Sequence, residues 1–176
     1  MFRCLVVRHG EAAMEVGTGI DADRPLTERG STHMGAAASG LAHVVRAPDF
    51  IATSPYERAQ ATARIISRAF SGVALETTDT LAAGNRPEDI LAWLGTRRGR
   101  LVALVGHEPD LGRFVSLALA GVSRTFYPMH KGEACLIEFP AVPRAGNATL
   151  EWAIEADHLA WIAAGRQCGT ATDSHG

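Results

Sequence analysis

The chain has 176 residues, 47% of them hydrophobic and 20% charged, with a formal net charge of −2 at pH 7. That length suits one domain with a sizeable core, and the near-neutral balance removes any global electrostatic case for a nucleic acid or an anionic membrane as partner. Anion chemistry therefore has to come from a local cluster.

No apolar run approaches the roughly 20 residues needed to span a bilayer. Met1 leads directly into a strand-like stretch with no small-residue cleavage site. Cys4, Cys135 and Cys168 are widely spaced and odd in number, which suits reduced thiols better than a disulfide framework. Together these features predict a cytoplasmic protein, and they make the Asn147-Ala-Thr149 glycosylation triplet a chance match.

Phe2 to Val7 is apolar without alternation and predicts a first strand buried on both faces. Thr27 caps a predicted helix whose Met34, Ala37, Ala38, Leu41, Val44 and Val45 follow helical spacing. Asp49 to Thr53 reads as a second strand. In Ser54-Pro55-Tyr56-Glu57, Ser is the cap, Pro takes the first helical position and Glu closes a capping box, starting a helix that runs to about Phe70. Ala74 to Leu81 is a third strand, and Pro87 opens a helix through Ile90, Leu91 and Leu94. Leu101 to Val105 is the clearest buried strand. Asp110 to Ala120 is a helix stopped by Gly121, and Ala134 to Phe139 and Thr149 to Ala156 are closing strands. Such alternation predicts an α/β layered sheet with right-handed crossovers. Neither a repeat nor a linker interrupts it, so residues 1–165 are expected to form one domain, followed by a frayed tail over 166–176.

Open α/β sheets bind ligands beyond the carboxyl ends of their strands, and three such ends here carry chemistry. The first strand ends in Arg8-His9-Gly10. The second ends in Ser54-Pro55, with Arg58 on the next turn. The Leu101 strand ends in Gly106-His107-Glu108-Pro109. Two arginines, two histidines and a helix start converging on one point describe a phosphate site. Arginine suits it because its planar fork binds phosphoryl oxygens in pairs and stays charged at every working pH. Competing motifs are weaker. Gly17 to Ala22 formally fits a dinucleotide pattern, but it follows no strand and Pro25 interrupts its helix. The histidines and cysteines lack metal-site spacing, so no cofactor and no metal are expected.

Arg8-His9-Gly10 resembles the signature of the histidine phosphatase superfamily, the phosphoglycerate mutase-like fold. "RPLTERG" at 24–30, "SPYERAQATA" at 54–63 and "VGHEPDLG" at 105–112 stand in that family's order, most like its short SixA-like phosphohistidine phosphatase branch. The resemblance implies a three-layer α/β/α sandwich with a mostly parallel central sheet. It also implies a two-step mechanism in which neutral His9 attacks phosphorus and water then hydrolyses the phosphohistidine. Arg8, Arg58 and His107 would hold the phosphoryl oxygens, and Gly10 would contact the substrate and let the backbone turn sharply beside the nucleophile. The implied substrate is a phosphorylated protein or a small phosphoester.

The general acid is the open point. Many members of the family place a glutamate in a long insertion after the third strand. Here residues 81–87 occupy that region, Glu88 and Asp89 are suited to the dipole of the next helix, and Glu108 is the remaining candidate donor. Duller roles stand beside the catalytic ones: His9 as a core histidine, Arg58 as a solvated partner of Glu57 or Glu76, His107 as a helix cap, Arg24 as a brace for its loop. His33, His43, His130, His158 and His175 read as surface or packing residues. Three functions compete: a phosphohistidine phosphatase acting on proteins, a sugar-phosphate type phosphomonoesterase, and a phosphate-binding module without catalysis. Only about twenty residues separate the third and fourth strands, where larger family members fold a lid. A lidless site would admit a side chain on a protein surface, with Arg86 and Lys131 available to an acidic partner.

Overall fold

The unbroken apolar runs of the sequence become strands covered on both faces. The structure, a computed structural model, describes residues 1–14 and 16–165; Cys168, His175 and the expected tail lie outside them. Its elements are β1 (Phe2–Arg8), α1 (Glu28–Val44), β2 (Phe50–Thr53), α2 (Glu57–Ala69), β3 (Leu75–Thr77), α3 (Pro87–Gly95), β4 (Leu101–Gly106), α4 (Asp110–Ala120), β5 (Ala134–Phe139), β6 (Thr149–Ile154) and α5 (Ala156–Ala163). The strands form one mixed sheet in the order β3-β2-β4-β1-β5-β6. β1, β4, β2 and β3 run parallel, and β5 and β6 are antiparallel to their neighbours.

Because side chains alternate across a strand, β1 sends Leu5 and Val7 to one face and Cys4 and Val6 to the other. The first face is covered by α1, α2 and α5 through Leu41, Ile66 and Leu159; the second by α3 and α4 through Ile90, Leu94 and Phe114. The result is the expected three-layer α/β/α arrangement. Each fully buried Leu, Ile or Phe contributes roughly 1.5–3 kcal/mol, so the two clusters, not any single contact, hold the layers. Gly40 lets α1 and α5 approach: a Cβ there would lie 1.8 Å from the Leu159 carbonyl oxygen. Cys4 and Cys135 are buried free thiols on neighbouring strands, facing the α3–α4 side. Burial pushes both thiols far above their ordinary pKa.

Three predicted boundaries move, and one element is new. The Ala74–Leu81 strand shrinks to β3, and its end becomes a 3-10 turn over Asp79–Leu81. The strand expected to reach Ala156 stops at Ile154, and α5 follows directly; Asp157 and His158 hid the apolar face of Ala156 and Leu159. A 3-10 turn over Asp21–Asp23 was not foreseen. Most consequentially, α2 begins at Glu57 with Tyr56 at its N-cap position and no side-chain cap. The Ser54–Glu57 capping box does not form, because the Ser54 side chain is engaged elsewhere.

Candidate active site

Strand register brings the polar residues together. Arg8 pairs with Gly106 and Thr53 with Val105, so β1, β4 and β2 end at one level. Backbone bonds carry this one residue further: the His9 N–H donates to the Gly106 carbonyl at 3.1 Å, and the Ser54 N–H to that of Val105 at 3.0 Å. His9, Arg58 and His107, polar as they are, are only 8%, 6% and 3% exposed.

The tautomer of His9 follows from its partner. Its Nδ1 lies 2.7 Å from the Gly10 carbonyl oxygen, which can only accept. The proton is therefore on Nδ1, and Nε2 carries the lone pair. The Arg58 Nε–H donates to that Nε2 at 3.3 Å. Burial first, then the Arg58, Arg8 and Arg24 charges, push the pKa of His9 down to about 4, against the opposing pull of the Gly10 carbonyl. Gly10 was expected to supply a sharp turn and a substrate contact. It has no left-handed φ. Its N–H donates to Thr62 Oγ1 at 3.2 Å, its carbonyl takes His9, and a Cβ would meet Met34 Cγ at 2.4 Å. Lack of room and the carbonyl contact account for this glycine.

Arg58 is not the solvated partner of Glu57 or Glu76. Asp21 grips its far edge: Nη1–H donates to the Asp21 carbonyl oxygen at 2.7 Å and Nη2–H to Oδ2 at 2.9 Å. The other Asp21 oxygen accepts Arg24 Nη1–H at 2.7 Å, and Arg24 Nε–H reaches the Ala13 carbonyl. The bonds from Arg24 and Arg58 hold the Asp21 carboxyl below its usual range. The Nε edge of Arg58 is thereby turned toward His9. The guanidinium carbon also lies 5.0 Å from the centroid of the Tyr56 ring.

The His107 ring stands 5.0 Å from that of His9 and 4.9 Å from that of Tyr56, centroid to centroid. Its Nε2 is 2.7 Å from Ser54 Oγ, whereas its buried Nδ1 has no partner among the described residues. Burial, then the cost of placing a second proton beside the His9 ring and the charge of Arg58, push its pKa down to about 3. Arg8 donates from Nη1 to the Met129 carbonyl at 2.7 Å, and its buried Nε is likewise unpartnered. Glu108 leans the other way: Oε1 accepts the Gly112 N–H of α4 at 2.8 Å. The half-buried carboxyl is raised by desolvation, against bonds from the Gly112 and Met129 backbones. Arg8 is thus anchored on the Met129 carbonyl, and Glu108 on the first turn of α4.

Two guanidinium groups and two uncharged imidazoles in so small a volume leave a net positive, half-dry pocket. Such a pocket stabilises a tetrahedral oxyanion, because charge-assisted bonds gain strength where water is excluded. Residues 4–85 match the family model for the histidine phosphatase superfamily (branch 1). An uncharacterised protein of Picosynechococcus sp. is 36% identical over 118 residues, 65% of this chain and 71% of that protein. The chain belongs to the histidine phosphatase superfamily. As a histidine phosphatase, it shares its fold with the protein histidine phosphatase SixA in complex with tungstate, at a TM-score of 0.78 and 22% identity over 90% of this chain and 99% of that one. It also resembles the phosphoserine phosphatase of Entamoeba histolytica in complex with phosphoserine, at 0.67 and 15% over 90% and 100% of the two chains.

In this histidine phosphatase the predicted Arg8, His9, Arg58 and His107 stand around one pocket, and Glu108 borders it through Arg8. Two residues of the site escaped sequence reasoning. Asp21 sits in a stretch weighed only as a dinucleotide pattern, and nothing in its spacing marks a partner for Arg58, 37 residues away. Ser54 was read as a helix cap.

Proposed function

We propose that the protein hydrolyses phosphohistidine on a protein, through a phosphohistidine formed on its own His9. The observation that carries this reading is the His9 tautomer, with an unprotonated Nε2 facing the Arg58 Nε–H at 3.3 Å. In the first step Nε2 attacks phosphorus, the bond from phosphorus to the substrate imidazole breaks, and that imidazole leaves with a proton taken from solvent or already present. In the second, water attacks phosphorus, gives up a proton, and His9 departs uncharged. Arg8, Arg58 and His107 hold the oxygens whose charge builds up between these states.

The shortness of the segment between β3 and β4 supports a protein substrate. Where larger relatives fold a lid, α3 packs against α4, and the loop before it is tied back by a bond of 2.6 Å from the Gly84 N–H to Asp110 Oδ2. A protonated imidazole leaves without an enzymic acid, which agrees with Glu108 being occupied by backbone N–H groups. A small phosphoester is the second reading. It is favoured by the likeness to a phosphoserine phosphatase and by the raised pKa of Glu108, which would keep more of it protonated as a donor.

The deciding experiment compares kcat/KM on a phosphohistidine-containing protein with a panel of sugar phosphates and phosphoserine. Preference for the protein by tenfold or more is expected. Preference for a phosphoester would establish the second reading, and no turnover of any would leave phosphate binding alone.

A further inference from the structure

The side chain of Ser54 is wholly buried at the junction of β2 and α2, and its hydroxyl can be accounted for completely. Oγ has two partners among the described residues: the Tyr56 N–H, which donates to it at 3.2 Å, and His107 Nε2 at 2.7 Å. A hydroxyl has one hydrogen and two acceptor positions. If Nε2 carried the ring proton, Oγ would accept twice and its own hydrogen would be buried with no acceptor. If Oγ–H donates to Nε2, the hydroxyl and Nε2 are both satisfied and Nδ1 alone is left over, against two orphaned groups in the alternative, and buried groups are overwhelmingly satisfied. The second arrangement puts the ring proton of His107 on Nδ1, the buried atom without a partner.

The consequence is chemical. Burial and the charges of Arg58 and Arg8 keep His107 uncharged. An uncharged imidazole donates from one nitrogen only, and the other tautomer would direct a lone pair at an incoming phosphoryl oxygen. We propose that Ser54 is a positioning residue: its hydroxyl donates to Nε2 of His107, fixes the Nδ1–H tautomer, and so makes uncharged His107 a hydrogen-bond donor to the transferred phosphoryl group. This rests on the phosphatase reading of the pocket, whereas the tautomer itself does not.

Nitrogen-15 correlation spectra of the full chain with labelled histidine, assigned by difference with His107→Gln, test it at pH 7.5 without any ligand. The wild type should show a protonated Nδ1 and an unprotonated Nε2 at His107; a protonated Nε2 overturns the proposal, and that result does not depend on any Ser54 variant folding. Added tungstate should shift the Nδ1–H resonance, and an unmoved resonance under saturating tungstate overturns the donor role. Ser54→Ala should release the ring to a mixture of tautomers and lower kcat/KM about 10- to 100-fold. Ser54→Thr, which keeps the hydroxyl, should restore both. A Ser54→Ala protein that melts earlier but keeps tautomer and turnover would make Ser54 merely structural. Turnover of no substrate, with the tautomer and the tungstate shift as expected, would overturn the catalytic reading of the pocket and leave the Ser54 assignment standing.

Discussion

The ends of β1 and β4 lie side by side and each delivers a histidine, yet they hold it by different means. At the end of β1, the His9 proton is set by a backbone carbonyl one residue away, and no substitution elsewhere removes that carbonyl. At the end of β4, His107 bonds a side chain contributed by another strand, 53 positions distant. On the mechanism proposed above, the difference suits different duties. A nucleophile needs its lone pair in one place at all times, whereas a stabilising group is adjusted through its neighbours.

Removing each histidine is the strongest way to test that division. His9→Ala is expected to lower turnover at least about 10³-fold with little change in melting temperature. An acid-labile, alkali-stable label from a radioactive phosphodonor should then be absent. His107→Ala should still take up that label, only about 10²–10³ times more slowly; equal labelling of both variants would erase the distinction. Arg58→Ala comes next, with a loss of about 10²-fold in kcat/KM whatever the leaving group, because every substrate shares the charge on phosphorus.

Proton linkage sharpens the comparison further. His9 stays uncharged down to about pH 4, so the acid limb of kcat/KM should fall near there. At pH 5 an unperturbed histidine, with a pKa of about 6.5, would already have lost roughly 30-fold. Stability moves in the same direction. Between about pH 6.5 and 4 the unfolded chain binds protons at both histidines that the folded protein does not, so unfolding free energy falls as pH falls. The histidine contribution should level off below about pH 3, where His107 is protonated in both states, while Asp21, held below its usual range, continues the fall. Thermal melts from pH 7 to 3 would show the slope, and an added oxyanion should flatten it.

The smallest expected effect is at Glu108. Glu108→Gln should slow alkyl phosphates by about tenfold and leave phosphohistidine nearly unchanged, since only an alkoxide needs a proton to leave. A uniform loss across substrates would assign Glu108 to holding the first turn of α4 in place.

Legibility in the sequence followed the reach of the interaction. β1, β4, α4 and their caps could be read because runs of apolar residues and local caps are short-range patterns. Arg8, His9 and His107 followed because strand ends are where such sheets do chemistry. Asp21 did not, because its role depends on a loop folding back onto Arg58. Ser54 misled because Ser-Pro-x-Glu carries a helix-start pattern regardless of what the hydroxyl meets in space. The end of β3 and the start of α5 were lost where polar residues interrupt the apolar rhythm.

The paired thiols inside the sheet have a use unconnected with phosphate. Cys4 and Cys135 are buried in neighbouring strands and their thiolates are strongly disfavoured. An alkylating reagent therefore reaches them only when the α3–α4 layer lifts and that face of the sheet opens. Their labelling rate, followed by the mass of the peptides that contain them, is an internal clock for opening of the sheet. It reads the frequency of that opening in native buffer, with no denaturant and no substrate.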